Sequence, residues 1–295
     1  MQKLIFSGHE SFVCKQFWLK KGYDFIVQKK RFSDNSTVID LGVGKNMVNS
    51  IRFWLKSFGI SDENDNPSTI GEYLFGKNGK DLYIEDHGTI WLLHYNLVKN
   101  NHASIYNIVF NEYRKERFEF TKEQLTKYIN AKLNDHNIKI SENTIKDDIN
   151  VFQKTYIKPN RTKKDIEETF ASLLIEIELL TTFQDTDLNG DKTDYFKIEN
   201  IHQESLPYQV ILYTILDNEK YSQTIAFNEL LISPNSPGMV FALNKESLYK
   251  KIIQITKRYP KIIFSETAGN QVLQFKEKPN KWNVLDDYYG KTNIL

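Results

Sequence analysis

Leu41-Gly42-Val43-Gly44-Lys45-Asn46-Met47-Val48-Asn49-Ser50-Ile51-Arg52-Phe53-Trp54-Leu55-Lys56 reads as a tight turn running into an amphipathic helix. Gly42 and Gly44 can take the positive φ that a turn between helices often needs. Met47, Ile51, Trp54, Leu55 and Phe58 follow at i, i+4, i+7, i+8 and i+11, one face of a helix. Asn46, Asn49, Ser50 and Lys56 fall on the other face. Upstream, Ser36 to Leu41 predicts a short first helix. Helix, glycine turn, helix is the helix-turn-helix pattern, whose second helix can enter a DNA major groove. There Asn46 and Asn49 suit adenine edges, Lys45 and Lys56 suit phosphates, and Ser50 and Arg52 complete a polar contact set.

Two other readings compete. A phosphate-binding P-loop needs glycine where Ile39 stands and Ser or Thr where Asn46 stands, so it fails at two positions. A packed helical hairpin that binds nothing has the same periodicity, and this stretch alone does not separate it from a DNA reader.

The rest of the chain sets bounds. At 295 residues it has room for two or three domains, and 40% hydrophobic with 26% charged residues is a globular balance. A net charge of +1 gives no global field, so any nucleic-acid signal is local. The one cysteine, Cys14, excludes a disulfide framework and a cysteine-based zinc site, and fits a reducing, cytoplasmic location. The opening residues do not form a signal peptide, and no apolar run approaches the ~20 residues that cross a bilayer, so no membrane partner is expected.

Phe6-Ser7-Gly8-His9-Glu10-Ser11-Phe12 precedes a helix predicted from Trp18 to Phe25, with Ser7 or Ser11 as its cap. His9-Glu10 is a candidate acid/base or metal element, or more simply a hydrogen-bonded hinge. Residues 59–68 form an acidic, turn-rich loop. A second unusual stretch, Glu85-Asp86-His87-Gly88-Thr89-Ile90-Trp91-Leu92-Leu93-His94, precedes and enters a helix with Thr89 as candidate cap. Glu85, Asp86, His87 and His94 are potential ligands for Mg²⁺ or Mn²⁺ in phosphodiester cleavage. Carboxylates before a helix are equally ordinary dipole partners, and a histidine beside Leu93 is an ordinary core residue.

Residues 104–156 predict a second helical group, with caps at Thr121 and Ser141 and with Ile145, Ile149 and Phe152 inward. Its outer face offers Glu142, Asp147 and Asp148, which repel phosphate, so it reads as structural or protein-binding. Residues 162–204 carry eleven Asp or Glu against four Lys. Inside them Asp185 to Asp191 opens like a calcium loop, but Phe196 stands where the bidentate Glu belongs. Residues 206–282 predict helices followed by a hairpin around 267–270, the pattern of a winged helix. Between 243 and 281 nine basic residues face three acidic ones, including Lys250, Lys257 and Arg258 as further candidate DNA contacts. That basic stretch can also be read as a solvated face that docks on the acidic segment.

Three motifs in this order, Phe6–Phe12, Leu41–Met47 and Glu85–His94, resemble the bacterial domain-of-unknown-function 4007 family. The resemblance implies a role in DNA phosphorothioation or phage-defence gene clusters, with relatives linked to DNA nicking. It supplies no settled catalytic residues. This chain departs from the family in having Cys14-Lys15 where relatives carry arginine. It has Ala171-Ser172-Leu173-Leu174 where relatives carry a Cys-Pro-Leu element, so no role for that cysteine transfers.

The reading is a mainly α protein with small β content, built of tandem helix-turn-helix or winged-helix units. Its predicted domains are residues 1–103, 104–204 and 205–295. The leading function is duplex-DNA binding through Lys45, Asn46, Asn49, Ser50 and Arg52, assisted by Lys250, Lys257 and Arg258, with no cofactor. The alternative is a Mg²⁺- or Mn²⁺-dependent nickase using His9, Glu10, Glu85 and Asp86, with His87 and His94 on the metal; it requires these motifs to converge. A third reading is an adaptor that docks proteins encoded in the same cluster.

Overall fold

The computed structural model describes residues 4–158, 172–186, 190–267 and 269–292. Among these residues no helix is long and apolar enough to cross a membrane. The protein is mainly helical with two small antiparallel sheets. Two compact units divide it, 1–198 and 199–295. The boundary predicted at 103/104 falls inside the first unit. There the Ile5 amide donates to Ser104 Oγ at 2.8 Å and the Ser104 amide returns to the Ile5 carbonyl at 3.1 Å.

The first unit opens with α1 (Trp18–Val27), α2 (Thr37–Leu41) and α3 (Lys45–Ser57). Gly42 ends α2 at φ 60, the left-handed cap that a residue with a Cβ adopts at a cost. Neither Ser7 nor Ser11 caps α1, contrary to the sequence reading. Both lie in a preceding turn at φ 68 and φ 62, and Phe17 stands at the cap without a side-chain bond. Next come α4 (Thr69–Phe75), capped by Ser68, and α5 (His87–Asn100). The cap of α5 is Asp86 rather than Thr89, because its carboxylate reaches the Gly88 and Thr89 amides at 2.7 and 3.3 Å. Trp54, Phe58, Trp91, Tyr95, Tyr106, Phe110, Phe152 and Tyr156 form an aromatic core that joins segments on both sides of residue 103.

After α6 (Ser104–Ile108), the π-helical turn Val109–Tyr113 and α7 (Arg114–Glu116), the chain makes β1 (Glu119–Phe120), α8 (Lys122–Asp135) and α9 (Glu142–Tyr156). Thr121 and Gln124 close a reciprocal capping box on α8, and Ser141 caps α9, as their spacing predicts. The hairpin β2 (Thr181–Thr186) and β3 (Lys192–Lys197) follows, with strand order β1-β3-β2. The calcium-loop-like run becomes part of this hairpin: Asp185 and Thr186 end β2, Asp191 precedes β3, and 187–189 lie outside the described residues. Ala171 and the acidic residues 165, 167 and 168 also lie outside them.

The second unit runs through a similar order, with one extra short helix before its hairpin and one helix after it. It has α10 (Tyr208–Asp217), β4 (Thr224–Ala226), α11 (Phe227–Ile232), the short α12 (Pro237–Val240) and α13 (Lys245–Arg258). The hairpin β5 (Ile262–Thr267) and β6 (Asn270–Phe275) completes a sheet of order β4-β6-β5, and α14 (Lys281–Thr292) closes the unit. Asn244 caps α13 at the Ser247 amide, and Leu248, Ile252 and Ile255 are fully buried beneath it.

Candidate nucleic-acid interface

The periodicity of α3 sets its faces, and the structure shifts them slightly from the sequence reading. Val48, Ser50, Ile51, Phe53, Trp54, Leu55 and Ser57 are buried, while Met47 is only half-buried. Ser50 has no exposed surface, so it cannot touch DNA from this fold. The outward stripe is Lys45, Asn46, Asn49 and Arg52, with Lys56 at its edge. Lys45 and Asn46 have no hydrogen-bonding partner among the described residues. Asn49 donates through Nδ2 to Glu10 Oε1 at 3.2 Å. Arg52 holds both oxygens of Asp65: Nε lies 3.0 Å from each, and Nη2 lies 2.7 Å from Oδ2. That bond raises the guanidinium pKa further above its ordinary value. Lys56 Nζ is 3.2 Å from Asp65 Oδ1 and donates to the Glu63 carbonyl at 2.8 Å.

Beside the stripe lies the Phe6–Phe12 turn. Ser7, Gly8, Glu10 and Ser11 all have positive φ. A Cβ on Gly8, at φ 97, would stand 2.6 Å from Phe53, so only glycine lets the turn lie on α3. His9 is buried against Trp54, with rings 6.2 Å apart and nearly parallel. Its Nδ1 accepts the Ser11 amide at 3.1 Å, which places the ring proton on Nε2. Nε2 lies 3.3 Å from Asp148 Oδ1, close but outside hydrogen-bond geometry, while Asp148 Oδ2 accepts the Ser7 amide at 2.8 Å. Both imidazole nitrogens are thereby turned inward. That geometry is what the hydrogen-bonded-hinge reading of the motif expects, and neither ring nitrogen faces solvent.

The other proposed acid/base and metal residues disperse. Asp86 spends a carboxylate oxygen on the helix cap, and its own amide, like that of Glu85, donates to Asp81 at 3.0 Å. Glu85 is exposed. His87 is exposed with Nδ1 3.9 Å from Glu176. His94 is fully buried, 2.9 Å from the Tyr156 hydroxyl and edge-on to Phe110. Among the described residues no three His, Cys, Asp or Glu gather closely enough to hold a metal ion. Cys14 is buried, and desolvation pushes its thiol pKa well up, which suits neither metal nor sulfur chemistry.

In the second unit α13 presents Lys245, Tyr249, Lys250, Gln254, Lys257 and Arg258 outward. Two of the basic residues there are answered by acids outside the 243–281 window and two by acids within it. Arg258 forks onto Asp287 of α14, with Nε 3.0 Å from Oδ2, and Lys281 reaches Asp217 at 2.6 Å. Lys250 pairs with Glu246 at 2.5 Å and Lys261 with Glu277. Lys251 is buried on the Leu206 carbonyl, and burial lowers its pKa. Lys245, Lys257 and Lys276 remain without an acidic partner among the described residues.

Asp65 escaped the sequence reading, and Asp148, expected on the outer face of its helix, is instead buried at 1% exposure. Asp148 did leave a signal: with Ile145, Ile149 and Phe152 it completes an i, i+3, i+4, i+7 stripe, so an acid sits at an inward position. Asp65 left none, because its partners lie 9 and 13 residues away along a loop.

Comparisons with known proteins agree with this architecture. The family profile described as "Protein of unknown function (DUF4007)" matches residues 6–289. No curated protein matches the chain. A magnesium-ion-bound crystal structure of SspB superposes at TM-score 0.84 and another SspB crystal structure at 0.83. Each is 24% identical over 97% of this chain and 88% of that chain, a likeness that speaks for the fold.

Proposed function

This chain belongs to the DUF4007 family, and we propose that it is a duplex-DNA-binding component of a bacterial DNA-modification or phage-defence system. The observation that carries this reading is the order helix, strand, helix, helix, hairpin, found again in the second unit with the short α12 added, and in both with the first strand paired to the last. That order supports reading each group as a winged helix, whose helix before the hairpin, together with the hairpin, would approach DNA. The pair α2 and α3, joined through Gly42-Val43-Gly44, adds a helix-turn-helix candidate. The proposed contacts are Lys45, Asn46, Asn49 and Arg52 on α3, with Lys250 and Lys257 on α13. Ser50 leaves the set because it is buried, and Arg258 ranks below Lys257 because Asp287 already holds it. Proteins encoded beside it are further candidate partners.

Fluorescence anisotropy on a duplex across a salt series tests this reading. The expected result is a log K that falls steeply with log[salt], at about 0.9 per phosphate contact. The double substitution Lys45→Ala with Asn49→Ala should weaken binding about tenfold with the fold intact. Unchanged affinity in that variant would remove α3 from the interface. A wild-type chain that binds no duplex even at low salt would leave the adaptor reading in its place.

Magnesium in a structure of the same fold favours a second reading, a Mg²⁺- or Mn²⁺-dependent nickase. The residues named for it do not fit as they stand. His9 and His94 are enclosed, Asp86 is committed to a helix cap, and no three-ligand cluster forms among the described residues. Supercoiled-plasmid nicking that requires a divalent cation and is lost in both Glu85→Gln and His87→Ala would restore it.

A further inference from the structure

Two carboxylates lie on the outward stripe of α3, each delivered from a different segment. Asp65 grips Arg52 with both oxygens and also reaches Lys56. Glu10 accepts from Asn49 one turn earlier. Bidentate guanidinium–carboxylate pairing has the geometry a phosphate would use on the same arginine. Both acids carry left-handed backbone, φ 49 at Glu10 and φ 63 at Asp65, a conformation that costs a residue with a Cβ free energy.

The loop does not need the Asp65 carboxylate to hold its shape. Asp62 does that work: its Oδ1 accepts the Asn64 and Asn66 amides at 2.8 Å each, and its Oδ2 accepts Asn66 Nδ2 at 3.0 Å. The backbone closes the loop through Asp62 and Asn66 at 2.9 Å and through Ser68 and Ile60 at 3.0 Å. Asp65 turns its carboxylate away from this framework and onto the cations of the helix.

We propose that Asp65 and Glu10 occupy phosphate positions on the α3 stripe, so that a DNA backbone must displace them and the free protein holds its own interface in a counter-charged state. The proposal rests on the DNA-binding reading above and adds its regulation. DNA meets Lys45 and Asn46 first, which are unengaged, and gains Arg52, Lys56 and Asn49 only as the two carboxylates let go. The stripe therefore discriminates against weak or isolated anions and favours a continuous phosphate backbone, which can replace both carboxylates together.

The test compares the full chain with Asp65→Asn, Glu10→Gln and the double variant, by anisotropy on one duplex across the same salt series. Asparagine tolerates the left-handed backbone at 65, and glutamine keeps an acceptor for Asn49, so both variants should melt with the wild type. Each single change should tighten binding about threefold and the pair about tenfold, the scale of exposed ion pairs. Arg52→Gln placed in the Asp65→Asn background should abolish the gain. Glu123→Gln, which removes one exposed carboxylate on another helix, should give none of it. A double variant that binds no tighter than a binding wild type would overturn the gate and leave the DNA reading standing. Binding by the double variant where the wild type is silent would support both. Silence from every protein at low salt would overturn both together.

Discussion

Residues 104–197 and 208–275 run through similar orders of elements, the second with the short α12 added, yet the helices before their hairpins, α9 and α13, are presented differently. In the first, α9 buries both its apolar stripe and Asp148, because the Phe6–Phe12 turn rests on it. Its remaining outer face mixes signs: Glu142 pairs with Lys146 at 2.6 Å, and Asp147 stands beside them. In the second, α13 buries mainly Leu248, Ile252 and Ile255; its Lys250 pairs with Glu246 as Lys146 does with Glu142, but Lys245 and Lys257 are exposed with no acidic partner among the described residues. Topology fixes where the helix before the hairpin lies in its own unit. What packs on that helix, and which charges remain unanswered, decides what it can do. By this comparison α9 carries the N-terminal turn, while α13 keeps Lys245 and Lys257 exposed and without an acidic partner among the described residues.

The strongest way to break the comparison is to remove Asp148. Asp148→Ala removes the acceptor of the Ser7 amide and the acid 3.3 Å from the buried His9 Nε2, and should cost about 1–3 kcal/mol. Hydrogen exchange should show lost protection in the first unit while residues 199–292 keep theirs. Undiminished protection around Ser7 and α9 would mean that this helix does not carry that turn. A smaller effect sharpens the contrast between the two outer faces. Lys250→Ala with Lys257→Ala should lower duplex affinity about tenfold, whereas Lys146→Ala with Lys154→Ala should change it less than about twofold. Equal losses would make both repeats DNA readers. The smallest effect separates neighbours on α13. Lys257→Ala should cost about threefold in duplex affinity, and Arg258→Ala less than about twofold, since Asp287 already neutralises that guanidinium. The reverse ranking would show that DNA recruits Arg258 from its carboxylate.

Much of this architecture was legible in the chain. The caps at Thr121, Ser141 and Asn244, the inward stripes of α8, α9 and α13, and the hairpin at 262–275 all stand where local pattern places them. Capping and amphipathic periodicity are local properties, so a sequence carries them directly. The hairpin at 181–197 was hidden, because its acidic composition drew attention to calcium instead. The repeat was hidden with it, since β1 is two residues long and is defined only by its pairing with β3.

The candidate sites divide along the same line. Sequence alone determined that Lys45, Asn46, Asn49 and Arg52 share an outward arc of one helix, because a helix repeats every 3.6 residues whatever surrounds it. Tertiary structure decided that Ser50 faces inward, that His9 meets an acid 139 residues further on, and that Arg52 is already gripped by Asp65. Those outcomes depend on which distant segment fills the space beside a side chain. Burial and charge pairing are properties of that filled space, and no local stretch of the chain contains it.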